Sequence, residues 1–148
     1  MKKLVIRFNA PATLTFALLA LGALILGQVF GDGVTMKFFC VYRSSLADPL
    51  TYLRFFTHVL GHADYSHYMG NMLLLLLVGP SLEEKYGWKK IMWFIAVTEL
   101  VPALVQFIFF PGSALLGASG IVFMMIVLSS FTESRGGGIP VPLILVVN

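Results

Sequence analysis

Long apolar runs separated by short polar segments are the main pattern along this chain. The runs cover residues 12–30, 66–82, 91–110 and 116–131. An apolar helix of about 20 residues is long enough to cross the roughly 30 Å hydrocarbon core of a bilayer. The pattern therefore predicts an all-α bundle with four membrane-spanning helices. A cleaved signal peptide is the alternative for the first run, but no clean small-residue cleavage site follows it.

Two further segments complete the predicted architecture. Residues 31–62 are too polar to span a membrane and too apolar to form a free linker, so we expect a loop in the membrane interface with short amphipathic helices. Residues 141–148 are apolar again, but eight helical residues rise only about 12 Å. We interpret them as the start of a fifth span. Residues 1–148 are then a single transmembrane domain that is incomplete at its C-terminus.

Composition supports a membrane protein and excludes other classes. Only 11% of the 148 residues are charged, and the mean hydropathy is +0.89, whereas a soluble domain carries roughly 25% charged residues. The small net charge of +3 is divided among short clusters, which argues against a nucleic-acid partner. A single cysteine, Cys40, excludes an internal disulfide framework and a cysteine-rich metal site.

The distribution of basic residues predicts the orientation in the membrane. Seven of the ten Lys and Arg residues lie in the N-terminal segment and in the turns after the second and fourth runs. Because basic residues concentrate in cytoplasmic loops, we expect a multi-pass protein of the cell membrane with a cytoplasmic N-terminus. The long loop and Ser119 then lie toward the outer face.

Two polar residues in the second run are candidates for chemistry. His67 and Asn71 are four residues apart, so their side chains share one face of a helix. Polar residues within a membrane cost free energy unless they are paired or face water, and they therefore indicate a functional site. The alternative is a hydrogen bond to a neighbouring helix, worth about 0.6 kcal/mol.

The stretch "GASG" places Ser119 at the start of the fourth run. Its backbone N–H is among the donors that a helix N-terminus leaves free, and such donors favour a developing negative charge. Gly117, Ala118 and Gly120 leave space around the hydroxyl. Small residues with a serine are also ordinary helix-packing material in membranes. Ile121 excludes the G-x-S-x-G pattern of soluble hydrolases. Together with His67 and Asn71, the serine indicates a nucleophile.

Other intramembrane chemistries fit less well. The stretch "HVLGH" at 58–62 has histidines at zinc-helix spacing, but Val59 occupies the position of the general base in H-E-x-x-H, so we expect no metal site. A pair of aspartates in facing spans is absent from the sequence. Glu99 lies within the third run without an explanation, and it leaves a small transporter subunit as an open alternative.

The stretch "YLRFFTHVLGHADYSHYMGNMLLLLLVGPSLEEKYG", followed by "GASG", resembles the rhomboid intramembrane serine proteases over about residues 50–131. Several family motifs appear in order at compatible spacing. They are H-x-x-x-x-H-x-x-x-N at His62, His67 and Asn71, Glu-x-x-x-Gly at Glu83 and Gly87, and G-x-S-G at Gly117, Ser119 and Gly120. Arg54 lies in the connection formed by residues 31–62, which corresponds to the first loop of the family, and it matches the arginine of that loop. Leu53 replaces its usual aromatic neighbour.

The resemblance implies a six-span fold and a Ser-His dyad that cleaves transmembrane segments of single-span proteins, without a cofactor. Ser119 would be the nucleophile, and His67, Asn71 and the Ser119 N–H would stabilise the oxyanion. Arg54 would stabilise the first loop, against Glu83 or backbone carbonyls.

The general base would be a histidine on a sixth span, beyond Asn148, and we therefore expect this chain alone to be inactive. The alternative within the family is an inactive relative that binds membrane clients.

Overall fold

The computed structural model describes residues 10–133, and most of this range is helical. The elements are α1 (Pro11–Phe30), α2 (Asp32–Phe39), α3 (Pro49–Thr57), a 3-10 turn (His58–Leu60), α4 (Tyr65–Tyr86), α5 (Trp88–Phe109) and α6 (Ser119–Glu133). The four long helices coincide with the four apolar runs, and the long connection contains the short helices α2 and α3. The expected start of a fifth span at 141–148 lies outside the described residues.

The boundaries differ from the prediction at two places. Helices α4 and α5 extend toward each other until Gly87 alone separates them, with φ of 82°. Helix α6 begins at Ser119 rather than at 116, because Leu115 pairs with Val41 in an isolated antiparallel bridge with two N···O distances of 2.9 Å. By length and composition, α1 and α5 could cross a membrane, whereas α6 has 15 residues.

The four long helices pack around one apolar core, with α4 in contact with α1, α5 and α6. Leu75, Ile91 and Ile121 are fully buried there. Large apolar side chains such as Leu77 and Trp93 remain exposed on the outside of the bundle. A contiguous apolar exterior of this kind is expected of a surface that faces lipid or other helices.

The carboxylate of Glu83 fixes the N-terminus of α1. It accepts hydrogen bonds from the backbone N–H groups of Ala12 at 2.7 Å and Thr13 at 2.9 Å, and from the Thr13 hydroxyl at 2.8 Å. A carboxylate is favourable at this position because it satisfies N–H groups that have no acceptor within the helix. The expectation that Arg54 contacts Glu83 is therefore wrong, because the Glu83 carboxylate binds the N-terminus of α1 instead.

Arg54 instead stabilises the first loop from within. Its guanidinium is buried, and it donates to the Lys37 carbonyl at 3.1 Å and to the Ser44 hydroxyl at 3.0 Å. It also forms a 3.3 Å ion pair with Asp48 and lies 4.5 Å from the Tyr42 ring centroid. Backbone carbonyls are the other partner of Arg54 expected from the sequence, and the contact with the Lys37 carbonyl agrees with that expectation. It ties α2 to α3 on the side of the bundle that carries the site.

Candidate active site

Ser119 is the first residue of α6, and its side chain is exposed. The first helical hydrogen bond runs from Val122 N–H to the Ala118 carbonyl at 3.0 Å. The N–H groups of Ser119 and Gly120 therefore have no acceptor within the helix. Because Gly117 and Ala118 are buried while Ser119 is exposed, the hydroxyl lies accessible at a helix N-terminus.

The backbone that leads into Ser119 is held in place by the first loop. The N–H of Gly117 donates to the His58 carbonyl at 2.9 Å. Gly117 has φ of 114°, a conformation that side chains other than glycine rarely adopt. Together with the bridge between Leu115 and Val41, these contacts fix the position of the segment that precedes the serine.

The ring of His67 lies directly over Gly117. A Cβ atom placed on Gly117 would be 3.0 Å from His67 Nε2 and 2.9 Å from Cε1. The backbone N–H of Ala63 donates to His67 Nδ1 at 3.4 Å. A neutral imidazole that accepts at Nδ1 carries its proton on Nε2. The Nε2–H donor of His67 therefore lies beside the segment that ends in Ser119.

The local fold places His67 through its neighbours on both sides. Asp64 caps α4 by accepting the His67 backbone N–H at 2.8 Å, which fixes the first turn of the helix. The ring of His62 packs edge-on against that of His67, with centroids 5.0 Å apart, and against Tyr68 at 5.5 Å.

His62 is a neutral supporting residue. Burial lowers the pKa of its imidazole, the Leu60 carbonyl at 3.1 Å from Nδ1 partly raises it, and a protonated His67 would lower it further. With its pKa below the usual value, His62 is uncharged at neutral pH. It packs against His67 without adding a charge to the site.

Asn71 lies one turn further along α4, on the same face as His67. Its side chain is buried, and its Nδ2 atom has no hydrogen-bond partner among the residues that the structure describes. A buried donor without a partner costs about 1–3 kcal/mol. This donor is therefore free to bind a water molecule or a substrate group.

Two polar residues near the serine were not assigned to the site by sequence reasoning. Glu99 of α5 and His58 of the 3-10 turn are both buried and lie 3.4 Å apart, from Oε2 to Nε2. The Glu99 carboxylate packs against Gly120, the residue after Ser119. The signal was present in the sequence, because a carboxylate in an apolar span requires a partner, but the identity of that partner depends on the fold.

The remaining candidates for other chemistries are occupied or inert. Within residues 10–133, no group of three or more His, Cys, Asp or Glu side chains could hold a metal ion. The two histidines of "HVLGH" face Glu99 and the Leu60 carbonyl instead. Burial raises the pKa of the Cys40 thiol to about 11, although the charge of Arg54 acts against this. The thiol is therefore a poor nucleophile at neutral pH.

Comparison with known proteins identifies the family. The family model described as Rhomboid domain matches residues 49–145, more than half of the chain, and the match includes His67, Asn71 and Ser119. No curated protein matches the chain. This chain belongs to the rhomboid family, whose members are generally intramembrane serine proteases.

Proposed function

We propose that this protein is an intramembrane serine protease with Ser119 as its nucleophile. The observation that carries the proposal is the position of the His67 ring over Gly117, with its Nε2–H donor beside the segment that leads into an exposed serine at a helix N-terminus. This combination provides a nucleophile together with donors for the negative charge that its reaction creates.

The chemistry is peptide-bond hydrolysis through an acyl-enzyme. Ser119 Oγ attacks the scissile carbonyl carbon and loses its proton to a base, and the carbonyl oxygen becomes an oxyanion. The Ser119 N–H, His67 Nε2–H and the Asn71 amide donate to that oxyanion. One such donor contributes about 10²–10³ in kcat in soluble serine proteases. The base then protonates the leaving amine, and water hydrolyses the ester.

In this proposal the general base that accepts the Ser119 proton lies outside the described residues. Within residues 10–133, no hydrogen bond joins Ser119 to a histidine. The ring of His58 lies 3.4 Å from the Glu99 carboxylate, and His62 Nδ1 faces the Leu60 carbonyl. The resemblance to rhomboid proteases gives the role of base to a histidine on a sixth span. Activity is therefore expected of the full natural protein.

The proposed substrates are single-span membrane proteins whose helices are destabilised near the outer face. The distribution of Lys and Arg supports a multi-pass protein of the cell membrane with a cytoplasmic N-terminus, and this orientation places Ser119 toward the outer face. A helical segment must unfold locally before a serine can reach its carbonyl, because its backbone is hydrogen-bonded internally.

A fluorophosphonate probe tests the proposal, since it reacts only with an activated serine. We expect labelling of the full natural protein in detergent, with the modified peptide containing Ser119. The variant Ser119→Ala should lose the label. The matched control is Ser66→Ala, which removes an exposed serine at the start of α4 and should keep it. Undiminished labelling of Ser119→Ala would contradict the proposal.

A further inference from the structure

We infer that Glu99 and His58 are positioning residues for the nucleophile. In this account the pair holds the segment from Gly117 to Gly120 in place, so that the Ser119 hydroxyl and N–H keep their alignment during the reaction. The inference rests on the proposed function, because it names residues that support the same serine.

The first observation is the contact between Glu99 and Gly120. The carboxylate occupies the space that a side chain at 120 would need: a Cβ atom there would lie 3.2 Å from Glu99 Cδ and 3.3 Å from Oε2, with Oε1 closer still. Glu99 Oε1 is buried and has no hydrogen-bond partner in the described part of the chain. Since Gly120 directly follows Ser119, the carboxylate packs against the residue next to the proposed nucleophile.

The second observation is that His58 contacts both the carboxylate and the serine segment. Its Nε2 atom lies 3.4 Å from Glu99 Oε2, while its backbone carbonyl accepts the Gly117 N–H at 2.9 Å. The other ring nitrogen, Nδ1, lies 3.2 Å from the Arg54 carbonyl. One fully buried residue therefore links α3, α5 and the start of α6.

The burial of Glu99 is favourable only together with the groups that surround its carboxylate. A buried carboxylate is costly unless it is paired, and His58 Nε2 lies at ion-pair distance from it, 3.4 Å from Oε2, without forming a hydrogen bond in the described part of the chain. A negative charge beside the N-terminus of a helix is also stabilised by the helix dipole. Because Glu99 belongs to α5, these interactions hold the N-terminus of α6 at a fixed distance from α5. These interactions also give Glu99 a structural role, so that its presence in an apolar helix does not require a transport function.

A compensating pair of substitutions tests this contact. Gly120→Ala should force the carboxylate and the serine segment apart, and a misplacement of about 1 Å can cost about 10²-fold in rate. We expect kcat of the full natural protein on a transmembrane substrate to fall at least about tenfold, with KM unchanged. Adding Glu99→Asp shortens the side chain and should restore part of kcat. Gly70→Ala is the matched control, because no atom lies within 4 Å of a Cβ added there.

Glu99→Gln is a second variant, which keeps the size of the side chain and removes its charge. We expect a lower kcat with unchanged KM and a correspondingly slower fluorophosphonate reaction at Ser119. An unchanged kcat in Glu99→Gln, or a double variant no faster than Gly120→Ala, would overturn the inference while wild-type labelling at Ser119 still supports the proposed function. Absence of labelling in the wild-type protein would contradict the proposed function and the inference that rests on it.

Discussion

The proton on His67 is placed by a backbone contact rather than by another side chain. Because Ala63 N–H donates to Nδ1, the neutral ring presents a donor at Nε2, on the side of Gly117. An imidazole held in this way can stabilise an oxyanion but cannot at the same time accept the serine proton through Nε2. The geometry therefore favours His67 as a donor and leaves the role of base to another residue.

Removing either oxyanion donor should weaken catalysis without ending it. We expect His67→Ala and Asn71→Ala each to lower kcat by about 10²-fold, because the remaining donors still act. The measurement is kcat and KM for a fluorogenic transmembrane substrate in detergent, using the full natural protein. A variant with wild-type kcat would remove that residue from the oxyanion site.

His62 should make stability depend on pH. Burial lowers the pKa of its imidazole below 6.5 in the folded protein, so the unfolded chain binds the proton more readily. Stability should therefore fall as the pH drops below about 6.5, and the loss should stop once the pH is below the folded pKa. Thermal unfolding of wild type and His62→Gln across this range measures the difference. Identical pH dependence in both proteins would contradict this explanation.

At the residue scale, the sequence indicated the groups that we propose to bear the chemistry but not those that we propose to support them. Ser119, His67 and Asn71 are recognisable because each is a polar residue in an apolar run. His67 and Asn71 are also four residues apart, which places them on one face of a helix. The pairing of Glu99 with His58 could not be predicted in the same way. These residues are far apart in sequence, and only the packing of α5 against the first loop brings them together.

At the element scale, the long helices follow from the apolar runs, whereas their ends depend on tertiary contacts. Helix α6 starts at Ser119 because Leu115 is paired with Val41 and Gly117 has a positive φ. Neither feature has a periodic signal in the sequence. The later start is what places the serine at the N-terminal end of the helix, beside its free N–H donors.

The start of α1 provides a test at the same scale. Glu83→Ala should lower the free energy of unfolding by about 2–5 kcal/mol, because it leaves the buried N–H groups of Ala12 and Thr13 without an acceptor. Glu84→Ala, at an exposed neighbouring position, is the matched control and should change stability by less than about 0.5 kcal/mol. Chemical unfolding in mixed detergent measures both. Equal effects of the two substitutions would show that the carboxylate of Glu83 does not stabilise α1.

At the scale of the whole molecule, polar side chains are gathered inside a bundle whose outside is apolar. Arg54, His58, Glu83 and Glu99 are all buried and contact one another or backbone groups, while large apolar side chains cover the exterior. This distribution fits a membrane protein, in which the interior is where polar groups can be satisfied. The contacts of His58 and Glu99 lie beside the serine segment, whereas Glu83 lies at the opposite end of α4, where it caps α1.

The most direct test of the central claim is cleavage of a single-span substrate by the full natural protein in proteoliposomes. The account predicts that the wild-type protein cuts within the transmembrane segment and that Ser119→Ala does not, while insertion and thermal stability are the same for both. Mass spectrometry of the fragments locates the cut. Cleavage by Ser119→Ala at the wild-type rate would contradict the account, because the serine would then not be the nucleophile.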